Sequence, residues 1–397
     1  MNRKQLILLV FVAAIIGLAG VMYSKRRQGE FQETSQQLGQ KLLKDFPLND
    51  VAQIQIRQAG EATLSKKGDK WTVKERGEYP ANESEIIDLL RKVWDLKVAQ
   101  PISTEAALLS RFELIAPDKG SNSANAGTTL EFKDAAGKTL ASLLLGKKHM
   151  KESPASSQFG GGGFPDGRYV MLGSDVKTVS LINDALSNIE PKPEQWVNKD
   201  WFKIEKLKSI SVLTTNATNN WKVTRESETG EWKLADAKGD EKLDSAKTGA
   251  FGYLLSSPSF NDVVINAKPE TTGLDKPTVA TLETFDNFSY TLKIGGSGEG
   301  DRHVQVMVSA NLPKDRVAGK EEKPEDKTRL DKEFAEKNKK LEDKLKAEKA
   351  FEKWTYSVAK YTVDQLLKER RELLAEKKEE PKKDEPKPAE KSESKQP

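Results

Sequence analysis

One pattern of apolar residues occurs twice along the body of this chain, and it constrains the fold more than any other feature. The spacing of apolar residues in 51–56 recurs 156 positions later in 207–212, and the tryptophan that follows a turn at Trp71 recurs 161 positions later at Trp232. A shared order of matches is rarer than any single match, so we interpret the body as a tandem duplication. The alternative is two unrelated α+β domains built from the same common elements.

Each copy is predicted to continue with a capped helix. Asn82 or Ser84 can cap the helix of the first copy, and Asp244 or Ser245 can cap that of the second. The apolar stripes that these helices would bury are Ile86, Leu89, Leu90 and Val93 in the first copy and Phe251, Leu254 and Leu255 in the second.

Further matches extend the repeat toward its end. Leu114 matches Leu274 at an offset of 160, and two predicted strands follow at an offset of 152. The offset falls because the first copy has a longer polar loop over 119–128. The remaining matches pair segments 130–132 with 282–284, 139–140 with 291–292, 145–146 with 294–295, 168–170 with 355–358, and the predicted terminal helices 179–186 with 362–374.

The alternation of polar and apolar residues in 53–57 is typical of a strand in a sheet with one wet face. Short turns between the predicted strands favour antiparallel pairing. We therefore predict the α+β class, as a tandem duplication of antiparallel-sheet-plus-helix units over 48–200 and 201–375. Trp196 and Trp201 fall at the junction, where they could join the two copies or fill the second copy's own core.

The second copy contains a charged insertion over 312–350, for which we predict a long helix or helical hairpin. The large apolar residues of its helical part recur at steps of 4, 7 and 4, so they share one narrow face. They are Leu330, Phe334, Leu341 and Leu345. A solvated arm, a surface for a partner helix and disorder remain open for this segment. The charged tail over 376–397 is predicted to be disordered.

A nineteen-residue run without charge, Gln5 to Tyr23, precedes the body. As a helix it would span about 28 Å, close to the thickness of a bilayer's hydrocarbon core. We therefore predict a single transmembrane anchor over 1–24 and a juxtamembrane helix over 25–47. A cleaved signal peptide and a buried core helix are the alternatives. Basic residues flank both ends of the run, so charge does not decide the topology.

The sequence contains few motifs that are typical of catalytic sites. The chain has no cysteine, and its net charge of +4 gives no case for nucleic-acid binding. The glycine run 160–163 is followed by another turn, and the segment 296–298 lacks the setting of a nucleophile elbow. The two histidines, His149 and His303, lack the ligand partners of a zinc site. We assign no catalytic, cofactor-binding or metal residue, and we expect no cofactor.

The order of motifs resembles a bacterial family of membrane proteins with a domain of unknown function. The residues that carry the resemblance are Trp71, Tyr79-Pro80-Ala81, Leu89-Leu90, Leu114, Pro117, Leu130, Gly146 and Tyr169-Val170. Members of that family are often encoded beside auxiliary components of gliding-motility-type ABC transport systems. The resemblance implies an inner-membrane, single-pass protein with its body on the periplasmic side.

We therefore expect a non-enzymatic, membrane-anchored envelope protein, an accessory or scaffold component of an ABC-type transport or gliding-motility-type system. Its expected partners are the membrane, through a single span, and other membrane proteins such as an ABC-type permease or auxiliary component. The alternative is a module that binds an envelope glycan or another ligand. A hydrolase is the third hypothesis, and it would require a close pair of buried acids in a cleft.

Overall fold

A computed structural model describes residues 37–117, 125–151, 163–296, 299–318 and 322–376. These residues fall into two units. The first comprises the chain up to Asp200 together with Asn261–Ile265, and the second comprises Trp201–Phe260 and the residues from Asn266 onward. Each unit is built on a large antiparallel sheet with its own buried apolar core.

The first unit is organised around Gln53–Arg57 (β1), where polar and apolar residues alternate. Ile54 and Ile56 are fully buried, while the polar residues between them are half-buried. The described strands are β1, Glu61–Lys67 (β2), Lys70–Val73 (β3), Tyr79–Pro80 (β4), Val98–Pro101 (β5), Thr128–Lys133 (β6), Thr139–Lys151 (β7), Phe164–Leu172 (β8) and Ser180–Ile182 (β9). They form a sheet in the order β4–β3–β2–β1–β6–β7–β8–β9–β5.

A helix over Glu83–Asp95 (α1) supplies one face of the first unit's core. The Asn82 side chain caps it by accepting a hydrogen bond of 3.4 Å from the Glu85 N–H. Burying one apolar side chain of this size stabilises a fold by about 1.5–3 kcal/mol. The buried stripe consists of Ile86, Leu89, Leu90 and Val93. A short helix, Pro193–Trp196 (α2), follows near the end of the unit.

The second unit repeats this strand order. Its strands are Leu207–Leu213 (β10), Trp221–Thr224 (β11), Lys233–Leu234 (β12), Thr278–Thr284 (β14), Phe288–Gly295 (β15), Arg302–Ala310 (β16) and Thr355–Val358 (β17). The strand Asp262–Val264 (β13) lies between β12 and β14 in the chain but belongs to the first unit. The order β12–β11–β10–β14–β15–β16–β17 matches β3–β2–β1–β6–β7–β8–β9. The helices are Ser245–Thr248 (α3), Pro269–Thr272 (α4) and Pro324–Lys349 (α5).

The two tryptophans near the junction each pack within one unit. The Trp196 indole N–H donates a hydrogen bond of 3.2 Å to the Glu190 carbonyl oxygen in the first unit. Trp201 packs against Phe260 and Tyr356 in the second, with ring centroids 5.4 and 4.9 Å apart. Each side chain therefore contributes to the core of its own unit.

The charged insertion forms the 26-residue helix α5 between β16 and β17. It contacts β16, and the stripe Leu330, Phe334, Leu341 and Leu345 is half-buried. Near its C-terminal end the Glu348 carboxylate accepts hydrogen bonds from the Tyr290 hydroxyl (2.7 Å) and from the Lys203 N–H (3.1 Å). The helix is thus docked on the second unit at this end.

The predicted fold class was wrong. In place of α+β units with a transmembrane helix before them, the described residues form two large antiparallel sheets with few helices. The segments 179–186 and 362–374, predicted to be terminal helices, contain the strand β9 and short 3₁₀ turns. Strand pairing explains the difference at β9, where Ser180 pairs with Val170 of β8, because tertiary contacts override weak helical spacing.

The juxtamembrane helix over 25–47 is corrected where the structure describes it. Residues 37–47 form turns and a bridge from Lys41 to Lys97. Gly39 and Asp45 have φ of +76° and +56°, in the left-handed region that interrupts a right-handed helix. Leu42 is buried in the core of the first unit. The near-helical spacing of Leu42 from the apolar residues near it therefore reflects its own contacts with the core.

The membrane predictions must also be corrected. No helix among the described ranges is long and apolar enough to cross a bilayer. The predicted transmembrane helix, Gln5 to Tyr23, lies outside the described residues. A signal-anchor and a single-pass, inner-membrane location with a periplasmic body therefore have no support in the structure, and neither enters the function proposed below. Residues 377–397 of the predicted disordered tail also lie outside the described residues.

Candidate functional site

The two histidines lie in different units. His149, in β7, has its Nδ1 2.6 Å from Oδ1 of Asp166 in β8, and both side chains are partly exposed. The hydrogen bond to His149 holds the pKa of Asp166 below its usual range. His303 lies in β16 of the second unit, and its buried Nδ1 has no hydrogen-bond partner among the described residues. No cluster of three or more potential metal-ligating His, Asp or Glu side chains occurs within the described ranges.

Two motifs weighed in the sequence fall partly outside the structure. Gly160–Gly162 and residues 297–298 are not among the described residues. The β7–β8 pair that flanks the glycine run is described, with Lys151 opposite Phe164. This antiparallel pairing fits a connection between two strands of the sheet.

Buried carboxylates bear on the hydrolase hypothesis. Within the part of the chain that the structure describes, Glu348 is the one buried acidic residue. Its oxygens accept hydrogen bonds from Tyr290 and from the Lys203 backbone. These partners give Glu348 a role in docking α5, and no second buried acid accompanies it among the described residues.

A second face of α1 carries apolar side chains that remain in solvent. Ile87 is 44% exposed and Trp94 is 48% exposed. They share a helical face with Arg91, because steps of four and three residues return to the same side of a helix. The helix is thus buried along one stripe and presents an aromatic and basic stripe to solvent.

Trp94 and Arg91 line a groove of about 480 Å³ in the first unit, together with the segment Phe46–Asp50. We call this site the α1 groove. Phe46 is buried and packs edge-on against Phe132 with ring centroids 5.2 Å apart, so this wall is fixed to the core of the unit. The groove is therefore preformed by the fold.

The groove combines an aromatic surface with charged side chains. The Lys41 Nζ lies 3.0 Å from the centroid of the Trp94 ring, which is a cation–π contact. Lys41 lies beside the groove, and within the lining Arg91 is the one cation and Asp50 the one carboxylate. Tryptophan and arginine are enriched in the side chains that dominate protein–protein binding energies. The composition suits a partner segment that has an apolar and an acidic side chain.

Sequence reasoning identified the buried stripe of α1 but missed its outer stripe. The available signal was the pair Ile87 and Trp94, two large apolar residues seven positions apart and off the core stripe. The contribution of Phe46–Asp50 had no such signal, because it depends on the packing of the turn Leu48–Asp50 against α1.

The fold and the groove define a protein of two repeated antiparallel-sheet units with an exposed aromatic site. The model of the family DUF4340, a domain of unknown function, matches residues 71–277, just over half of the chain. The chain therefore belongs to the DUF4340 family, which confirms the resemblance to a family with a domain of unknown function. No curated protein and no solved structure matches the chain. The expected gene neighbourhood stays a prediction.

Proposed function

We propose that the chain is a non-enzymatic accessory or scaffold protein that binds a partner protein through the α1 groove. The observation that supports the proposal is the exposed stripe of Ile87, Arg91 and Trp94 on a helix whose other stripe is fully in the core. Exposed aromatic side chains and arginine are more frequent at protein interaction sites than on the rest of a protein surface.

The partner's chemistry follows from the groove. An apolar side chain would cover the part of the Trp94 ring that remains exposed beside Lys41. A carboxylate would pair with Arg91, whose planar guanidinium can bind both carboxylate oxygens. The family resemblance directs the first search to an ABC-type permease or an auxiliary component of an ABC-type transport or gliding-motility-type system. The partner proposed is a protein, not a nucleic acid.

Site-specific photo-crosslinking of the full chain tests this proposal. A photo-reactive amino acid at Asn49, which lines the groove, should form a defined adduct with one partner protein. Trp94→Ala and Arg91→Glu should each reduce that adduct at least about tenfold, the effect of losing roughly 1.4 kcal/mol of binding. The matched control is Tyr253→Ala, which removes an aromatic side chain that is 80% exposed in the second unit.

The adduct must survive the control and fail in both groove variants. Recovery of the chain alone under several solubilisation conditions would contradict the proposal, as would an adduct that Trp94→Ala leaves unchanged. The alternative function, binding of an envelope glycan or another ligand, would instead give sedimentation with purified wall material and no protein adduct.

A further inference from the structure

A basic cleft separate from the α1 groove lies in the first unit, beside the turn that joins β1 to β2. Its volume is about 470 Å³. Its charged lining consists of Lys148, Arg168, Lys192 and Glu190, which leaves two formal positive charges in excess. We propose that this cleft binds the anionic group, phosphate or carboxylate, of a small ligand.

Arg168 is the central observation. Arg168 is only 8% exposed. Burial lowers the pKa of its guanidinium to about 10, so the group remains charged at neutral pH. Nε donates to the Gly146 carbonyl oxygen (2.8 Å) and Nη1 to the Leu186 carbonyl oxygen (3.2 Å). Both acceptors are neutral, and Nη2 makes no hydrogen bond within the described residues. The Glu113 carboxylate acts on this guanidinium through its charge, but no ion pair or hydrogen bond joins the two side chains among the described residues. An anion in the cleft would supply a directly bonded counter-charge.

A second cation lies directly opposite. Lys148 of β7 is the register partner of Arg168 of β8. Like charges in directly opposed positions of an antiparallel pair destabilise it. An anion between Lys148 and Arg168 would make a favourable contact with each of them.

The remaining polar groups shape the cleft. Lys192 forms an ion pair of 2.6 Å with Glu190, which holds the pKa of that carboxyl below its usual range. Gln58 and Thr128 bond each other, with the Thr128 hydroxyl 3.3 Å from Gln58 Oε1. Lys148 also acts on Glu190 through its charge, but within the described residues neither Lys148 nor Arg168 makes an ion pair. These two are therefore the cations of the cleft that remain open to a direct contact with a ligand.

The second unit shows which part of this arrangement belongs to the shared architecture. Arg302 occupies the position equivalent to Arg168, since each arginine begins the pairing of its strand with the next, opposite Val358 and Ile182 respectively. Arg302 is also buried, and its Nη1 donates to the Gly300 carbonyl oxygen at 2.7 Å. A buried arginine is therefore common to both units. The cleft with Lys148 beside it is the feature from which we infer a ligand in the first.

Calorimetric titration of the full chain with inorganic phosphate, and separately with succinate, tests the site at low ionic strength. We expect saturable binding of at least one of these anions. Phosphate alone would indicate a phosphorylated ligand, and succinate alone a carboxylate ligand. Lys148→Gln should weaken binding at least about tenfold, because it removes one charge-assisted contact.

The matched control is Lys147→Gln, which removes an exposed cation from the adjacent residue of the same strand. It should bind as the unmodified chain does. Arg168→Lys retains a charge but loses the planar fork, and it should weaken binding where the variant stays folded. Two results would overturn the inference: no saturable binding of either anion by the unmodified chain, or equal weakening by Lys147→Gln and Lys148→Gln.

Discussion

Gly295 lies against the carbonyl oxygen of Thr272 so closely that a Cβ at this glycine would be 2.3 Å from that oxygen. The same contact occurs in the first unit, where a Cβ on Gly146 would be 2.2 Å from the Phe112 carbonyl oxygen. Only a hydrogen atom fits at either position. In both units, the short helical segment that carries this carbonyl comes just before the central strands. It thus packs directly against the backbone of the sheet.

Gly295→Ala should destabilise the second unit by at least about 2–3 kcal/mol, because three backbone atoms lie within 2.8 Å of the added carbon. Gly249→Ala is the control, since its Cβ would meet nothing within 4 Å and its φ and ψ of −57° and −32° are helical. Urea unfolding followed by tryptophan fluorescence measures both. Equal stabilities of the two variants would show that the backbone at Gly295 relaxes freely.

The sequence located the repeat well at some positions and poorly at others. The offset of 161 for Trp71 and Trp232 agrees with the strand register, in which Val73 and Leu234 occupy equivalent positions. The offset assigned to the next strands was wrong by two residues, since the register places Phe132, not Leu130, at the position of Leu282. A slip of two keeps every side chain on the same face, so alternation alone cannot detect it.

The end of the repeat was also misassigned. Residues 168–170 correspond to 302–304 of β16, whereas 355–358 form β17, the counterpart of β9. Because α5 is inserted between β16 and β17, the counterpart of β9 lies far along the chain, and it was matched to the wrong strand. Pairing partners distinguish such strands, and they are long-range contacts that a single sequence does not specify. The basic cleft was missed for the same reason, because Lys148 and Arg168 become neighbours only across the β7–β8 pair.

Asn82→Ala should cost the first unit about 1 kcal/mol, because the Asn82 side chain caps α1 through the Glu85 N–H. Ser84 was the other capping candidate, and in the structure it is an exposed residue of the first turn. Ser84→Ala should therefore be close to neutral. Chemical unfolding with residue-resolved hydrogen exchange in α1 measures the difference. A larger loss of stability from Ser84→Ala than from Asn82→Ala would contradict the assignment of Asn82 as the cap.

Arg370→Met should destabilise the second unit by about 1–3 kcal/mol, because it leaves two backbone carbonyls and two partly exposed carboxylates without their donor. Arg370 is 6% exposed and pairs with Asp236 at 2.8 Å and Glu241 at 2.7 Å. Its neighbour Arg371 is the control. The Arg371 side chain is 83% exposed and makes one surface ion pair, with Glu369. Arg371→Met should change the unfolding free energy by less than about 1 kcal/mol, and a comparable loss in both variants would contradict a structural role for the buried site.

Glu348 should make the docking of α5 weaken as pH rises. Burial raises the pKa of Glu348 above its usual value, against the opposing effects of the Tyr290 hydroxyl and the Lys203 N–H. The folded state therefore favours the protonated carboxyl more than the unfolded state does. The resulting stability is fully present below the unfolded pKa, about 4.3, and is lost as pH rises through the raised folded value. Glu348→Gln removes this titration, so the unfolding free energy of the unmodified chain minus that of Glu348→Gln should fall with increasing pH. Hydrogen exchange of peptides from α5, measured across this range for both proteins, provides the readout. A difference that is flat or rises with pH would show that hydrogen bonding to the carboxylate outweighs its desolvation.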